Sequence, residues 1–301
     1  MTQRLPTILL PALALLVFTT IARGAETYQQ TEDIVYGQTD GVALVLDRFV
    51  PTGKANGRAI VDVASGAWHS DRGKIRDHKR AQVYHLMCQR GFTVFAVRPG
   101  SIEKFSGPEM LDHLNRGIRY AKQQAKQYQF DADQLGLMGA SAGGHLACLA
   151  DVTADDSTRV AAVGVFFPPT DFLDYGGKKL DTSGGGRIGK MVRALAFSDR
   201  CAKESPEAIA QAVTAISPAR LVTSAAPPFL LIHGDADPLV PLQQSQTMQA
   251  ALQAKGVPAK LIVKPGGGHP WLTLPVEVGV MANWFVKQLV DSGSSSSRAV
   301  D

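Results

Sequence analysis

The chain is predicted to fold as an α/β protein: a mostly parallel central sheet flanked by helices. Apolar runs at 59–64, 92–97, 134–138, 160–167, 228–233 and 259–264 have the length and unbroken apolarity of strands buried on both faces. Helical stretches separate them, at about 76–90, 108–128, 142–152, 242–255 and 276–290. Strand–helix alternation of this kind implies parallel pairing with right-handed crossovers, and ligands then bind outside the carboxyl ends of the strands.

Residues 1–25 read as a secretory signal. Arg4 supplies a positive start, Ile8 to Phe18 is apolar except for Pro11, and Ala22-Arg23-Gly24-Ala25 offers small residues for cleavage. The apolar run is too short to span a bilayer, so no permanent membrane anchor is expected and the location is secreted or periplasmic. Residues 26–291 then form one domain of ordinary size for this class. Ala43 to Phe49 alternates like an antiparallel edge strand. Gly91 closes the first long helix, and Gly256 with Pro258 ends a later one. Between the strands at 160–167 and 228–233 the connection is too long for a bare crossover, so about 170–226 is expected to be a lid or cap insert. Within it Asp181 to Arg187 is flexible by composition, and Arg187 to Ala196 and Ala208 to Ile216 read as helices. Residues 292–301, with serines from Ser294 to Ser297, read as a disordered tail.

The most informative segment is Gly139-Ala140-Ser141-Ala142-Gly143, between a strand-like run and a helix-like one. A serine on such a strand–turn–helix elbow is exposed at the sheet edge, at the positive end of the following helix. Two later loops supply its partners. The run Pro228 to Ile232 opens into His233-Gly234-Asp235-Ala236-Asp237-Pro238, and Ala259 to Val263 opens toward Gly266-Gly267-Gly268-His269. A serine oxygen needs a base within reach, and the imidazole in turn needs a carboxylate to fix its tautomer. Asp237 is the preferred acid because Pro238 fixes a turn after it; Asp235 is the alternative, otherwise a turn cap. His269 is the preferred base. His145, four residues after Ser141, points along the helix away from the elbow and is expected to pack beneath the site. His233 reads as a structural turn residue.

The loop after the strand at 59–64 runs Ser65-Gly66-Ala67-Trp68. Backbone amides there, with the amide following the nucleophile, would hold a developing oxyanion, which assigns Gly66, Ala67 and Ala142. Trp68 is placed at the rim as a wall for a ring of the substrate, with a core position as its alternative. Arg98 and Ser101 leave another strand end beside the cleft, and Arg98 reads better as a structural ion pair. Asp171 also leaves a strand end.

With these residues in place the chain resembles the α/β-hydrolase superfamily. Within it, the chain is similar to secreted esterases related to acetyl-xylan and feruloyl esterases, with hormone-sensitive-lipase-like esterases and prolyl oligopeptidase hydrolases as neighbours. The resemblance spans about residues 30 to 290 and rests most on Gly139, Ser141, Gly143 and Gly144. It implies hydrolysis of carboxylic esters by a serine nucleophile, with no metal or organic cofactor.

Composition narrows the partners. Without Arg4 and Arg23 the chain has 29 basic residues against 27 acidic ones, scattered singly or in pairs, which argues against nucleic acid. The densest basic cluster, Lys74 to Arg80, contains Asp77 and reads as the solvated start of a helix. Three cysteines, Cys88, Cys148 and Cys201, are too few for a disulfide framework and have no zinc-ligand spacing. The expected substrate is a small-molecule or polysaccharide-linked ester carrying a short acyl or aromatic group. A peptidase of the prolyl oligopeptidase type, or a non-catalytic binding protein on the same fold, are the alternatives.

Overall fold

A computed structural model describes residues 26–179, 186–197 and 204–291. The predicted signal, residues 181–185 of the segment Asp181 to Arg187, Cys201 and the serine tail lie outside the described residues.

Among the described residues, eight strands form one sheet in the order β1-β2-β4-β3-β5-β6-β7-β8. They are β1 (Tyr28–Thr39), β2 (Val42–Pro51), β3 (Ala59–Val63), β4 (Thr93–Arg98), β5 (Leu135–Ala140), β6 (Ala162–Phe166), β7 (Phe229–Gly234) and β8 (Ala259–Lys264). From β4 through β8 all pairings are parallel, and β2 runs antiparallel to both β1 and β4. The helices are α1 (Arg72–Arg80), α2 (Val83–Gln89), α3 (Gly107–Gln123), α4 (Ala125–Tyr128), α5 (Ala142–Val152), α6 (Gly186–Ala196), α7 (Pro206–Ala215), α8 (Gln243–Ala254) and α9 (Leu274–Phe285).

The apolar runs become strands because both sheet faces are covered. Along β3, Ala59, Val61 and Val63 enter one core layer while Ile60 enters the other. Phe229 and Leu231 of β7 likewise face opposite Leu230 and Ile232. Successive side chains alternate across a strand, so a run without polar breaks is what two covered faces require. The first layer joins the sheet to α3, α5 and α7; the second joins it to α2 and α9. Helix α3 starts on a capping box, Ser106 with Glu109, and has Pro108 in its first turn.

Three expectations need correction. Ala43–Phe49 is not the edge strand, because the longer β1 lies outside β2. That strand begins Tyr-Gln-Gln-Thr-Glu-Asp, is bulged, and packs inward only through Tyr28, Ile34 and Tyr36, so its apolar pattern is faint. The helix at 76–90 is two helices, broken where Gln82 adopts φ 63. The helix at 108–128 divides likewise into α3 and the short α4.

Arg98 is buried in an ion cluster with Asp33 and Asp47, and Arg72 joins it through Glu32, Asp33 and Asp47. Neither Arg98 nor Ser101 reaches the cleft; the Ser101 hydroxyl accepts the Ser70 amide at 3.0 Å. Asp171 is a hub, its Oδ1 accepting the Leu173 amide at 2.9 Å and Arg220 Nε at 2.8 Å.

Asp151, near the end of α5, is buried with Oδ2 unpaired, and burial pushes its carboxyl up to about 8 despite Arg159. The folded state therefore holds this proton more tightly than the unfolded chain, and stability falls as pH rises from about 4 to about 8. Asp151→Asn removes that dependence. Urea denaturation should show the variant gaining on the wild type by up to roughly 5 kcal/mol across this window; parallel curves would contradict the assignment.

Candidate active site

Ser141 stands between β5 and α5 with φ 53 and ψ −121, a backbone conformation that few non-glycine residues tolerate. Its neighbours hold it there. The Ser141 amide donates to the Phe166 carbonyl at 2.9 Å, and the Gly143 amide donates to the Ser65 carbonyl at 3.1 Å. Glycine is required at 143, since a Cβ would lie 2.3 Å from the Val63 carbonyl oxygen. The elbow is thereby pressed against the ends of both β3 and β6.

The acid and base loops meet by the same device. At Gly234 a Cβ would sit 2.1 Å from the Gly267 carbonyl oxygen, so only glycine lets the end of β7 touch the loop after β8. The Asp235 amide donates to the Lys264 carbonyl at 3.1 Å, and Asp235 Oδ1 accepts the Gly266 amide at 2.6 Å. Asp235 thus ties the two loops together and stays exposed. Asp237 reaches inward instead. Its Oδ2 accepts His269 Nδ1–H at 2.6 Å, and His269 Nε2 lies 2.9 Å from Ser141 Oγ. With Nδ1 donating to the carboxylate, Nε2 is free to accept the serine proton.

Asp237 is held well below the usual carboxylate range. Burial alone would raise it, and hydrogen bonds from His233, His269 and the amides of Val240 and Leu239 outweigh that effect. His233, expected to be a turn residue, is buried: its Nε2 donates to the Val240 carbonyl at 2.9 Å and lies 3.4 Å from Asp237 Oδ2. Ser245 Oγ–H donates to its Nδ1 at 2.7 Å, which keeps the ring fixed against the acid loop. Phe167 is a contributor that composition does not reveal. It leaves β6 with φ 37 and packs its ring 4.5 Å from that of His269.

The oxyanion assignment changes in one member. Gly66 and His69 exchange both backbone hydrogen bonds, at 3.0 and 2.9 Å, so the Gly66 amide already donates to the His69 carbonyl. The two residues between them, Ala67 at φ 48 and Trp68 at φ 59, form a tight hairpin turn with both central residues left-handed. Among the described residues no acceptor is found for the amides of Ala67 or Ala142. The amides of Ala67 and Ala142 thus remain without an acceptor, and Gly66 shapes the turn.

Trp68 also moves from its expected place. It is 4 % exposed, and its Nε1–H donates to His145 Nδ1 at 3.1 Å while its ring packs against His145 and Phe172. Accepting at Nδ1 leaves the His145 proton on Nε2, which donates to the Ile216 carbonyl at 2.8 Å. Burial lowers His145 to about 4, so the ring stays neutral. Trp68 borders the cleft but underpins the turn from below, its ring buried against His145 and Phe172. The left-handed turn of two non-glycine residues is strained, and this buried contact helps to hold it.

A cleft of about 1030 Å³ opens over Ser141 and His269. Tyr175, Met191 and Leu239 line one part of it, and Lys74, His78 and Arg80 of α1 another. The basic cluster is therefore not only solvated surface: His78 Nδ1 lies 2.7 Å from the buried Asp62, which anchors α1 to β3. Among the described residues no three His, Cys, Asp or Glu side chains are grouped to hold a metal ion, and no helix is long and apolar enough to cross a membrane. Cys88 and Cys148 are buried and free.

The family model BD-FAE matches residues 46–252. Esterase LipQ of Mycobacterium tuberculosis is 29% identical over 244 residues, covering 75% of this chain and 53% of that protein. The isoprenylcysteine alpha-carbonyl methylesterase ICME of Arabidopsis thaliana is 26% identical, covering 82% of this chain and 58% of its own. The chain spans about half the length of the curated relatives it matches first. Among solved structures, a truncated carbohydrate esterase from gut microbiota superposes with a TM-score of 0.73 at 24% identity, covering 88% of this chain and 98% of its own. The esterase Est2 of Thermogutta terrifontis superposes with a TM-score of 0.66 at 20% identity, covering 85% and 91%. Both likenesses are of the fold.

Trp68→Phe keeps the ring and removes the indole donor, leaving His145 Nδ1 buried without its hydrogen bond. The variant should lose roughly 1 to 3 kcal/mol of stability and turn over aromatic and acetyl esters with an unchanged ratio. A selective rise in KM for the aromatic ester would restore Trp68 to the rim.

Proposed function

The chain belongs to the BD-FAE family and has the α/β-hydrolase fold, and from that premise we propose that it hydrolyses carboxylic esters through an acyl-enzyme. The observation that carries this reading is the unbroken relay from Ser141 Oγ through His269 to Asp237, with contacts of 2.9 and 2.6 Å. Ser141 Oγ attacks the ester carbonyl as His269 Nε2 takes its proton, and Asp237 stabilises the imidazolium. The carbonyl oxygen becomes an oxyanion facing the amides of Ala67 and Ala142. Collapse of this intermediate expels the alcohol, which takes the proton from His269. Water then attacks the acyl-enzyme with His269 as base, and the acid leaves with Ser141 restored.

We propose short acyl or aromatic esters on a polysaccharide as substrates. The cleft supports this in two ways. It is larger than an acetyl group requires, and it joins an apolar wall at Met191 and Leu239 to charged donors and acceptors on α1 that suit hydroxyl groups. The likeness to a carbohydrate esterase points the same way. The segment at about 170–226 acts as a lid in this reading, supported by the position of Ile188 and Met191 of α6 in the cleft wall. Residues 1–25 act as the export signal that directs the enzyme to the periplasm or the exterior.

Assays on p-nitrophenyl acetate, longer acyl esters and a proline anilide test the proposal. Short esters should be cleaved, and Ser141→Ala should abolish turnover, by roughly 10⁴-fold or more. Asp237→Asn should lower kcat by roughly 10³- to 10⁴-fold through the wrong imidazole tautomer. Anilide cleavage without ester cleavage would favour a peptidase, and absence of both would favour a binding protein.

A further inference from the structure

The loop that carries His269 begins at Lys264 and includes Gly266, Gly267 and Gly268. Three consecutive glycines give such a loop wide freedom, and holding it in one conformation is entropically costly. Its first half is tied to the acid loop through Asp235 and through the Ala236 amide, which donates to the Gly267 carbonyl at 3.0 Å. That leaves the far side of His269, where Trp271 precedes Leu272, a residue 98 % exposed.

One carboxylate closes this gap. Glu277 is buried on α9; its Oε2 accepts Trp271 Nε1–H at 2.8 Å, and its Oε1 accepts Lys264 Nζ at 2.8 Å. Both ends of the loop therefore converge on a single side chain. The platform beneath it is rigid: Val278, Met281 and Phe285 of α9 are fully buried in the second core layer. The Phe167 ring lies between the two residues that must be aligned, 4.5 Å from the His269 ring and 5.7 Å from that of Trp271. Trp271, so held, backs the Phe167 ring that packs against the imidazole.

We propose that Glu277 is a positioning residue, clamping Lys264 and Trp271 so that His269 is held between Ser141 and Asp237. The effect on rate rests on the hydrolase reading above; the effect on the loop does not. Glu277 stays ionised, because burial raises its carboxyl less than the Lys264 and Trp271 hydrogen bonds lower it, so both oxygens remain acceptors. A buried ion pair is a weak source of net stability, which leaves alignment as its distinctive consequence.

The test uses the full chain with Glu277→Gln, which keeps one acceptor for Trp271, with Glu277→Leu, which removes both, and with Trp271→Phe. Amide exchange across residues 265–271 is measured beside steady-state kinetics on p-nitrophenyl acetate. Exchange in the loop should quicken by roughly 10-fold in Glu277→Leu and less in Glu277→Gln, while exchange in α9 stays unchanged. The kcat should fall by roughly 10- to 100-fold in Glu277→Leu, with Glu277→Gln between it and wild type and KM within about 2-fold. Trp271→Phe combined with Glu277→Gln should be no slower than the worse single variant. Lower thermal stability with unchanged loop exchange and unchanged kcat would overturn the clamp and leave a structural ion pair. Should Glu277→Leu fail to fold, Glu277→Gln and Trp271→Phe carry the same comparison. A wild type that cleaves no ester would sink the hydrolase reading alone, and loop exchange would still decide the clamp.

Discussion

Backbone segments at the carboxyl ends of β3, β5, β6, β7 and β8 must approach one another to van der Waals contact, and everything at the candidate site depends on that closeness. Three side chains from positions 141, 237 and 269 meet only because glycine at 143 lets the elbow touch β3 and glycine at 234 lets the acid loop touch the base loop. Parallel order supplies the rest, since β5, β6, β7 and β8 are consecutive neighbours and end on the same side. The cost appears as strain. Ala67, Trp68, Ser141 and Phe167 are all non-glycine residues at positive φ, and all of them line the cleft. Two closed core layers on either side of the sheet hold what the local backbone would not choose.

Four of the histidines in and behind the cleft show how environment assigns roles to one residue type. His145 is buried among apolar groups, lowered to about 4, and serves as a neutral bridge from Trp68 to Ile216. His233 braces the acid loop through Val240 and Ser245. His78 faces the buried Asp62, which raises it above the ordinary imidazole value against the lowering effect of burial. His269 differs in facing the cleft, with the Asp237 carboxylate on one nitrogen and the Ser141 hydroxyl on the other. The chemistry lies in that pairing, and the other three support the loops around it.

Much of this was legible in the sequence. Strands covered on both faces announce themselves as unbroken apolar runs, and β3 to β7 are of that kind. Ser141, Asp237 and His269 could be named from their loops, each following a strand. What was hidden depends on long-range partners. β1 packs inward only through Tyr28, Ile34 and Tyr36 and is held largely by its pairing with β2, so its local pattern is faint. Gly66 has the residue type of an oxyanion donor, but whether its amide is free depends on a turn closing on His69. Trp68 is as apolar as a rim tryptophan would be, and only the distant His145 reveals that it faces inward. Glu277 looks like any helix-surface glutamate until Lys264 and Trp271 are brought to it.

The most direct measurement of the central claim is a crystal structure of the protein with a phosphonate bound covalently to Ser141. The convergence of loops described here predicts an adduct on Oγ whose phosphoryl oxygen lies about 2.7 to 3.1 Å from the amides of both Ala67 and Ala142, with His269 Nε2 facing the oxygen of Ser141. An adduct whose oxygen points away from both amides, or an imidazole at position 269 separated from Asp237, would contradict it.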